Sequence, residues 1–276
     1  MTFQVGTGLS RAVDSVQAAQ EAWEQASAQA KCAEPDWVLV FFSTEHMEQC
    51  EAIHGVLTKH CRCVVGCSTI GVLHEAQEVS EGASLVVMVG KTPGIRTTGF
   101  AHYQELEYSA SAMQQVKETL ERVAESSLLL AFPDAYAHAP YNLINTLNYT
   151  KTHPVTFGAG ACNDGTYSEA VQVGPDGPVL SGVSGLALSG ASCFRVGVTQ
   201  SCVTMGEPMF VTKVEENQIL KLDDFPALEV FVTVAAELGI RELETAAQHL
   251  LFSLPLDPEQ PSFTNEAALV RSLSGV

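Results

Sequence analysis

Positive charge is scarce in this sequence. Its 276 residues include 14 lysines and arginines against 32 aspartates and glutamates, which gives a formal net charge of −18 at pH 7. A field of this sign repels phosphate backbones and anionic lipid headgroups. We therefore expect neither a nucleic acid nor a membrane among the partners of the chain.

Long apolar runs and a secretory leader are also lacking. The longest apolar runs, residues 38–42 and 128–132, are far shorter than the roughly 18 residues that a membrane helix needs. The N-terminus has neither the basic segment nor the apolar core of a signal peptide. We expect a cytoplasmic protein whose eight cysteines are mostly reduced thiols.

What the chain does have is apolar content, 46% of its residues, arranged as alternating strands and helices. Apolar strands of this kind are typical of sheets covered on both faces. The fold class predicted is α/β, with mixed β-sheets covered by helices. The pattern predicts helices over 11–31, 45–60, 113–124, 141–150 and from 225, with further helical content in 237–252. It predicts strands over 37–42, 61–65, 83–89, 127–132, 154–157, 170–173, 182–189, 194–198 and 209–214.

One arrangement occurs twice. A strand, a helix and a second strand lead to a small-residue segment that begins at Gly66 in the first case and at Gly158 in the second, 92 positions later. The pattern fits an internal pseudo-repeat, and it also fits ordinary α/β alternation. The sequence leaves both interpretations open.

The two small-residue segments are the first candidates for ligand contact. In open α/β sheets, ligands lie beyond the carboxyl ends of the strands, where small residues expose backbone N–H groups. Asp134, after a predicted strand, could act as a general base, contact a ligand amine or cap a helix. Neither segment carries a nucleotide fingerprint or a phosphate-binding loop. Tight turns that need small residues are the structural alternative.

Catalytic and metal-binding patterns are weak. The spacing around Cys61, Cys63 and Cys67 does not favour a zinc site, because paired Cys-x2-Cys units are missing. No catalytic triad can be assembled, although Cys67 or Ser68 could serve an acyl-transfer or hydrolytic enzyme. Covalent haem is excluded by the absence of Cys-x-x-Cys-His. Any histidine could still be an axial haem ligand; the eight are His46, His54, His60, His74, His102, His138, His153 and His249.

As a set, four segments make the sequence resemble the FIST family of bacterial ligand-sensing domains, which have a FIST N and a FIST C part. The segments are residues 35–43, 65–71, 130–134 and 224–228. The chain departs from the family pattern in residues 199–208, which lack the family's Trp and Arg. It also ends where the C part of the family continues.

The resemblance implies a domain division and a function. The division is a helical lead-in over 1–30, a FIST N-like α/β domain over 31–200 and a partial FIST C-like domain over 201–276. The function implied is sensing of amino acids or related metabolites, without catalysis or an obligatory cofactor, upstream of a signalling protein such as a histidine kinase or a cyclic-nucleotide enzyme. A haem-binding nitric-oxide or redox sensor is the alternative.

We predict a ligand site formed by residues from both small-residue segments and the neighbouring strand ends. Its members are Ser43, Thr44, Gly66, Cys67, Ser68, Thr69, Asp134, Gly158, Gly160, Asn163 and Asp164.

Overall fold

A computed structural model gives the structure of the protein. It describes residues 2–103, 117–118, 128–136, 139–148, 154–190, 202–255, 259 and 268–273. The chain forms two compact units, Met1–Phe194 and Arg195–Val276. The strand predicted over 194–198 lies outside the described residues, as does the helix predicted over 113–124 except for 117–118.

The first unit contains twelve described strands and three described α-helices. The strands are β1 Gln4–Ser10, β2 Trp37–Ser43, β3 Val64–Thr69, β4 Val72–His74, β5 Gln77–Val79, β6 Leu85–Lys91, β7 Arg96–Tyr103, β8 Leu128–Pro133, β9 Val155–Gly158, β10 Val171–Gly174, β11 Gly177–Leu180 and β12 Gly182–Ser189. The helices are α1 Ser15–Ala30, α2 Cys50–Leu57 and α3 Ala139–Asn148, and a 3₁₀ helix spans Thr44–Gln49.

Two mixed sheets form the framework of this unit. The first sheet has the order β1-β6-β2-β3-β10-β11, and the second has the order β7-β12-β8-β9. Each sheet contains one parallel pair, β2 with β3 and β8 with β9, and its other pairs are antiparallel. The predicted α/β class with mixed sheets is therefore confirmed.

The core lies in layers on and between these sheets. Buried side chains of α1 and α2 pack on one face of the first sheet. The opposite face, with Leu39 and Val65, packs against Leu186 of the second sheet. Leu143 of α3 packs on the far face of the second sheet, beside Leu129. Strands β2 and β8, which have packed side chains on both faces, are accordingly continuous apolar runs.

In the N-terminal segment the predicted helix is present, but a strand before it was not predicted. The predicted helix over 11–31 is found as α1, capped by the Asp14 side chain, which accepts a hydrogen bond from the Gln17 amide. Residues before it form β1, which the pattern did not predict. A Cβ on Gly8 would collide with the Ala22 carbonyl, so the small residues of β1 let α1 approach the strand closely.

Strands β4, β5 and β11 were not predicted either, and two other segments of the first unit differ from prediction near the candidate sites. Strand β3 runs to Thr69, so Gly66, Cys67 and Ser68 belong to the strand rather than to a loop after it. Strand β7 was missed entirely. Its sequence, RTTGFAHY, has neither a continuous apolar run nor a polar–apolar alternation, and its glycine and alanine favour strands weakly.

The second unit contains smaller elements. Its strands are β13 Val211–Glu215, β14 Gln218–Leu222, β15 Phe225–Pro226, β16 Phe252–Pro255 and β17 Ala268–Arg271, and its helices are α4 Ala227–Glu237 and α5 Leu243–His249. Strands β13–β15 form one sheet, and β16 pairs with β17. Phe231 and Ala235 of α4 pack against Ala246 of α5. Among the described residues, no helix has the length and hydropathy needed to cross a membrane.

Candidate functional site

The carboxyl ends of the two parallel strand pairs are connected by one segment. Residues 159–170, here called the junction loop, lead from β9 in the second sheet to β10 in the first. At the second sheet, Ala161 forms a parallel bridge with Asp134. At the first sheet, the Cys162 amide donates to the Ser68 carbonyl at 3.1 Å. The loop therefore joins the strand ends of both sheets.

Ser68 fixes the junction loop to β3. Its side chain is fully buried, and its hydroxyl donates to the Cys162 carbonyl at 2.9 Å. The same oxygen accepts from the Val171 amide at 3.0 Å. One side chain thus satisfies backbone groups at both ends of the loop.

Asp134, at the end of β8, attaches the junction loop to the second sheet. Its buried carboxylate accepts from the Tyr136 amide at 2.8 Å and from the Ala170 amide at 3.1 Å. Tyr136 in turn donates its hydroxyl to the Asn163 carbonyl at 2.8 Å. The strand end, the following residues and the junction loop form one hydrogen-bonded unit.

Asn163 holds the loop internally. Its buried side-chain oxygen accepts from the Gly165 amide at 2.8 Å, and its side-chain amide donates to the Glu169 carbonyl at 2.9 Å. These bonds close a turn over residues 163–169. The side chain predicted to face a ligand is therefore used to shape the loop.

The end of β2 contributes two further anchors. The Thr44 hydroxyl accepts from the Asp164 amide at 3.0 Å, which ties the loop to the start of the 3₁₀ helix. The exposed Asp164 carboxylate accepts from Thr166, and hydrogen bonds from that residue lower its pKa. Ser43 faces the other way, since its hydroxyl accepts from the Ser84 amide at 3.0 Å.

The remaining residues of β3 have packing roles. Gly66 lies directly opposite Val40, and a Cβ there would collide with the Val40 carbonyl. Cys67 is buried between the sheets; burial raises the pKa of its thiol, and nearby Cys162 raises it further. Thr69 donates its hydroxyl to the Gly71 carbonyl at 2.9 Å.

Gly158 reproduces the position of Gly66 in the second sheet. It lies opposite Ala131 in the parallel pair, and a Cβ there would collide with the Ala131 carbonyl. Unlike Gly66, it is exposed, as is Gly160. The two strand–helix–strand units share this geometry, which by itself does not decide between duplication and ordinary α/β alternation.

Most of the predicted set is thus brought together at the ends of β2, β3, β8 and β9. Its buried polar atoms mainly bind backbone groups of the junction loop, and the accessible surface is formed by three of its members, Gly158, Gly160 and Asp164. The arrangement can couple the two sheets. It does not activate a nucleophile, because the Ser68 hydroxyl donates to a carbonyl and the raised pKa of Cys67 disfavours a thiolate.

A cleft of about 410 Å³ lies elsewhere in the first unit, between β7 and the β10–β11 hairpin. Its polar side chains include Arg96, Thr98, His102 and Asp176. Sequence reasoning named His102 only among all the histidines and did not single out the others. The signal available was the spacing of two residues in β7, which places Arg96, Thr98 and His102 on one face.

The described histidines have different environments. His46 is fully buried: its Nδ1 lies 2.8 Å from the Ser15 hydroxyl, and its Nε2 has no hydrogen-bond partner among the described residues. His60 stacks on Trp23 with ring centroids 4.2 Å apart. His102 stacks on Phe100 at 5.7 Å, and burial lowers its pKa. Because the pKa is lowered, His102 offers the cleft a neutral imidazole. His138 and His153 lie outside the described residues.

These features define a two-sheet α/β domain whose strand ends are joined by a polar junction, and comparison with known proteins identifies its family. The model of the FIST N domain matches residues 36–224, which is more than half of the chain. The chain therefore belongs to the FIST N domain family, which makes it a small-ligand sensing domain by class. The C part of the family stays a prediction.

Other comparisons add little. The search of curated proteins finds no match. Among solved structures, the crystal structure of cyanuric acid hydrolase from A. caulinodans aligns with 68% of this chain and 72% of that chain, at 11% sequence identity and a TM-score of 0.35. A likeness at this level carries no argument about activity.

Proposed function

We propose that the protein senses an amino acid or a related zwitterionic metabolite through the junction loop, and that it passes the signal to a partner protein. The observation that carries the proposal is the attachment of one loop to both sheets, through Ser68 on the first sheet and Asp134 on the second. A ligand that contacts this loop changes the balance of hydrogen bonds to both sheets at once. Ligand binding and a change of shape are thereby coupled.

The charge of the protein favours this class of ligand. A net charge of −18 opposes a polyanionic ligand, whereas a zwitterion carries no net charge. Exposed Asp164 presents a carboxylate that can accept from a ligand ammonium group. The exposed backbone at Gly158 and Gly160 leaves room for close approach.

A thermal-shift and calorimetric screen of the amino acids on the full chain tests the proposal. We expect at least one amino acid to raise the melting temperature, because a ligand that binds only the folded state stabilises it. Asp164→Asn should weaken that response, whereas Glu51→Gln, which removes the same charge from the exposed start of α2, should not. Failure of every amino acid to stabilise the wild-type chain at about 10 mM would refute amino-acid sensing.

The signalling partner is proposed to be a protein such as a histidine kinase or a cyclic-nucleotide enzyme. Co-expression of the chain with such an enzyme, followed by an assay of its activity with and without the stabilising amino acid, tests this step. The proposal requires an activity change that Asp164→Asn reduces.

A haem-based sensor is the second candidate, favoured by the position of His102 in the cleft. Because burial lowers the pKa of His102, its imidazole is neutral at pH 7, as an iron ligand must be. Haem bound there would supply an iron that takes up a diatomic gas. Titration with haemin should give a Soret band that His102→Ala removes, while His249→Ala leaves it unchanged. A wild-type chain that takes up no haem stoichiometrically would reject this candidate.

A further inference from the structure

The cleft lies where each sheet of the first unit ends. Strand β7 is the outermost strand of the second sheet, and β11 is the outermost strand of the first. Residues 98–102 of β7 line the cleft consecutively, and so do residues 175–179 of the hairpin. A strand that contributes consecutive residues presents its backbone edge as well as one row of side chains. The cleft is thus walled by two strand edges that face each other.

Close packing between β7 and the β10–β11 hairpin fixes the position of the two walls. A Cβ on Gly99 would lie 2.8 Å from Pro175 Cγ and 2.9 Å from Cys63 Sγ, which is closer than real Cβ contacts allow. In a second contact between the hairpin and β7, Gly174 lies directly against Ala101. His54 Nε2 lies 3.3 Å from the Pro175 carbonyl oxygen and holds the hairpin turn from the side of α2. Preorganised walls of this kind lower the entropic cost of binding.

The lining combines one cation with apolar surface. Arg96 is the cationic side chain of the lining and Asp176 the acidic one. Thr98 follows Arg96 on the same face of β7, and Phe100 and His102 continue the row as a stacked pair. Pro178 and Val179 form the opposite wall. Phe100 is buried beside Leu129, so its ring supports that of His102 from the core side. The site therefore offers a guanidinium and a hydroxyl at one end, and the His102 ring and aliphatic carbons beyond them.

These groups select for one kind of ligand. A guanidinium binds a carboxylate through two parallel charge-assisted hydrogen bonds. A polyanion would meet Asp176 and the overall negative field with a single cation to balance its charge. The cleft volume lies within the usual range for small-molecule sites.

We propose that the cleft between β7 and the β10–β11 hairpin is a binding site for a small monocarboxylate with an apolar body, with Arg96 as the residue that binds the carboxylate. The site lies away from the junction loop and does not depend on the function proposed for it. Two sources share this chemistry: a simple aryl or alkyl carboxylic acid, and an apolar amino acid whose ammonium group would pair with Asp176.

Isothermal titration calorimetry with three matched probes tests the proposal. 3-Phenylpropionate carries the carboxylate and the ring, L-phenylalanine adds the ammonium group, and 3-phenylpropanol lacks the carboxylate. The purified full chain is first checked for Soret absorbance, so that bound haem does not compete. We expect one or both acids to bind saturably, and the alcohol to bind about tenfold more weakly or less. Tighter binding of L-phenylalanine than of 3-phenylpropionate would identify the amino acid as the source.

Two substitutions identify the residue responsible. Arg96→Ala should weaken binding of the acids about tenfold or more and leave binding of the alcohol unchanged, and Arg96→Lys should fall between Arg96→Ala and wild type. Arg11→Ala removes the same charge from an exposed arginine whose guanidinium donates to the Glu81 carbonyl, and it should bind like wild type. Equal melting temperatures for the wild-type and Arg96→Ala chains establish that any loss is one of recognition.

Several results would overturn the proposal. It fails if Arg96→Ala binds the acids as tightly as wild type, or if neither acid binds the wild-type chain at about 10 mM. A response to amino acids that depends on Asp164 and not on Arg96 would support the junction-loop function, and it would refute this site if 3-phenylpropionate also failed to bind. Binding of 3-phenylpropionate that depends on Arg96, with no response to any amino acid, would support this site and refute amino-acid sensing through the junction loop.

Discussion

The Ser68 hydroxyl donates a hydrogen bond of 2.9 Å to the carbonyl of Cys162, a residue 94 positions further along the chain. Through this bond the end of β3 in the first sheet holds the loop that arrives from the second sheet. The same hydroxyl oxygen accepts from the Val171 amide, where β10 begins. One small side chain therefore fixes both ends of the segment that connects the sheets.

Ser68→Ala should destabilise the protein by about 1–3 kcal/mol, because it leaves a buried carbonyl and a buried amide without their partner. Urea unfolding followed by circular dichroism measures the change. Ser80→Ala, at an exposed position, serves as the control and should leave stability almost unchanged. Equal stability of the Ser68→Ala and wild-type chains would mean that this bond does not hold the junction.

Gly66→Ala and Gly158→Ala should both be destabilising, by about 1–3 kcal/mol each, because the added methyl group collides with the carbonyl of the paired strand. Gly55→Ala is the matched control: no atom lies within 4 Å of a Cβ added there. Because Gly55 is inside α2, this change should raise stability by up to about 1 kcal/mol. Midpoints of chemical unfolding for the three variants check the prediction, and a stable Gly66→Ala chain would contradict it.

Stability should fall as the pH drops below about 6.5, in part because of His46. Burial lowers the pKa of this histidine, against the opposing effects of Glu45 and Asp14. A histidine with a lowered folded-state pKa takes up its proton more readily in the unfolded chain, so acid favours unfolding.

Melting temperatures of wild type and His46→Gln from about pH 7.5 to pH 5 measure this contribution. The variant should lose less stability on acidification than wild type, whatever its stability at neutral pH. His102→Gln should also flatten the profile, since burial lowers the pKa of that histidine too. An unchanged slope in His46→Gln would show that His46 does not titrate on unfolding in this range.

Cys67 should react slowly with thiol reagents in the native protein. Its side chain is buried between the sheets and burial raises its pKa, whereas Cys202 is exposed. A short pulse of iodoacetamide at about pH 7.5, followed by peptide mass spectrometry, should label Cys202 and leave Cys67 unlabelled until the chain is unfolded. Rapid native labelling of Cys67 would revive the acyl-transfer alternative.

The sequence by itself determined the fold class and eight of the seventeen described strands. Continuous apolar runs such as β2 and β8 can be stable only when both faces are covered, so they predict a layered α/β fold without knowledge of any partner. It also grouped Ser68, Asp134 and Asn163 as candidates, because each lies at or after the end of a predicted strand, where ligands of α/β sheets bind. That Ser68 and Asp134 belong to two different sheets was not predicted.

Only the tertiary structure decided what those residues contact. Whether a buried hydroxyl faces a ligand or a carbonyl depends on the path of a loop some ninety residues away, and short-range periodicity carries no information about that path. The same holds for the cleft. Arg96 and Asp176 are distant in the sequence, and they line one cleft because the outer strands of two sheets meet, which is a consequence of strand order rather than of any local pattern.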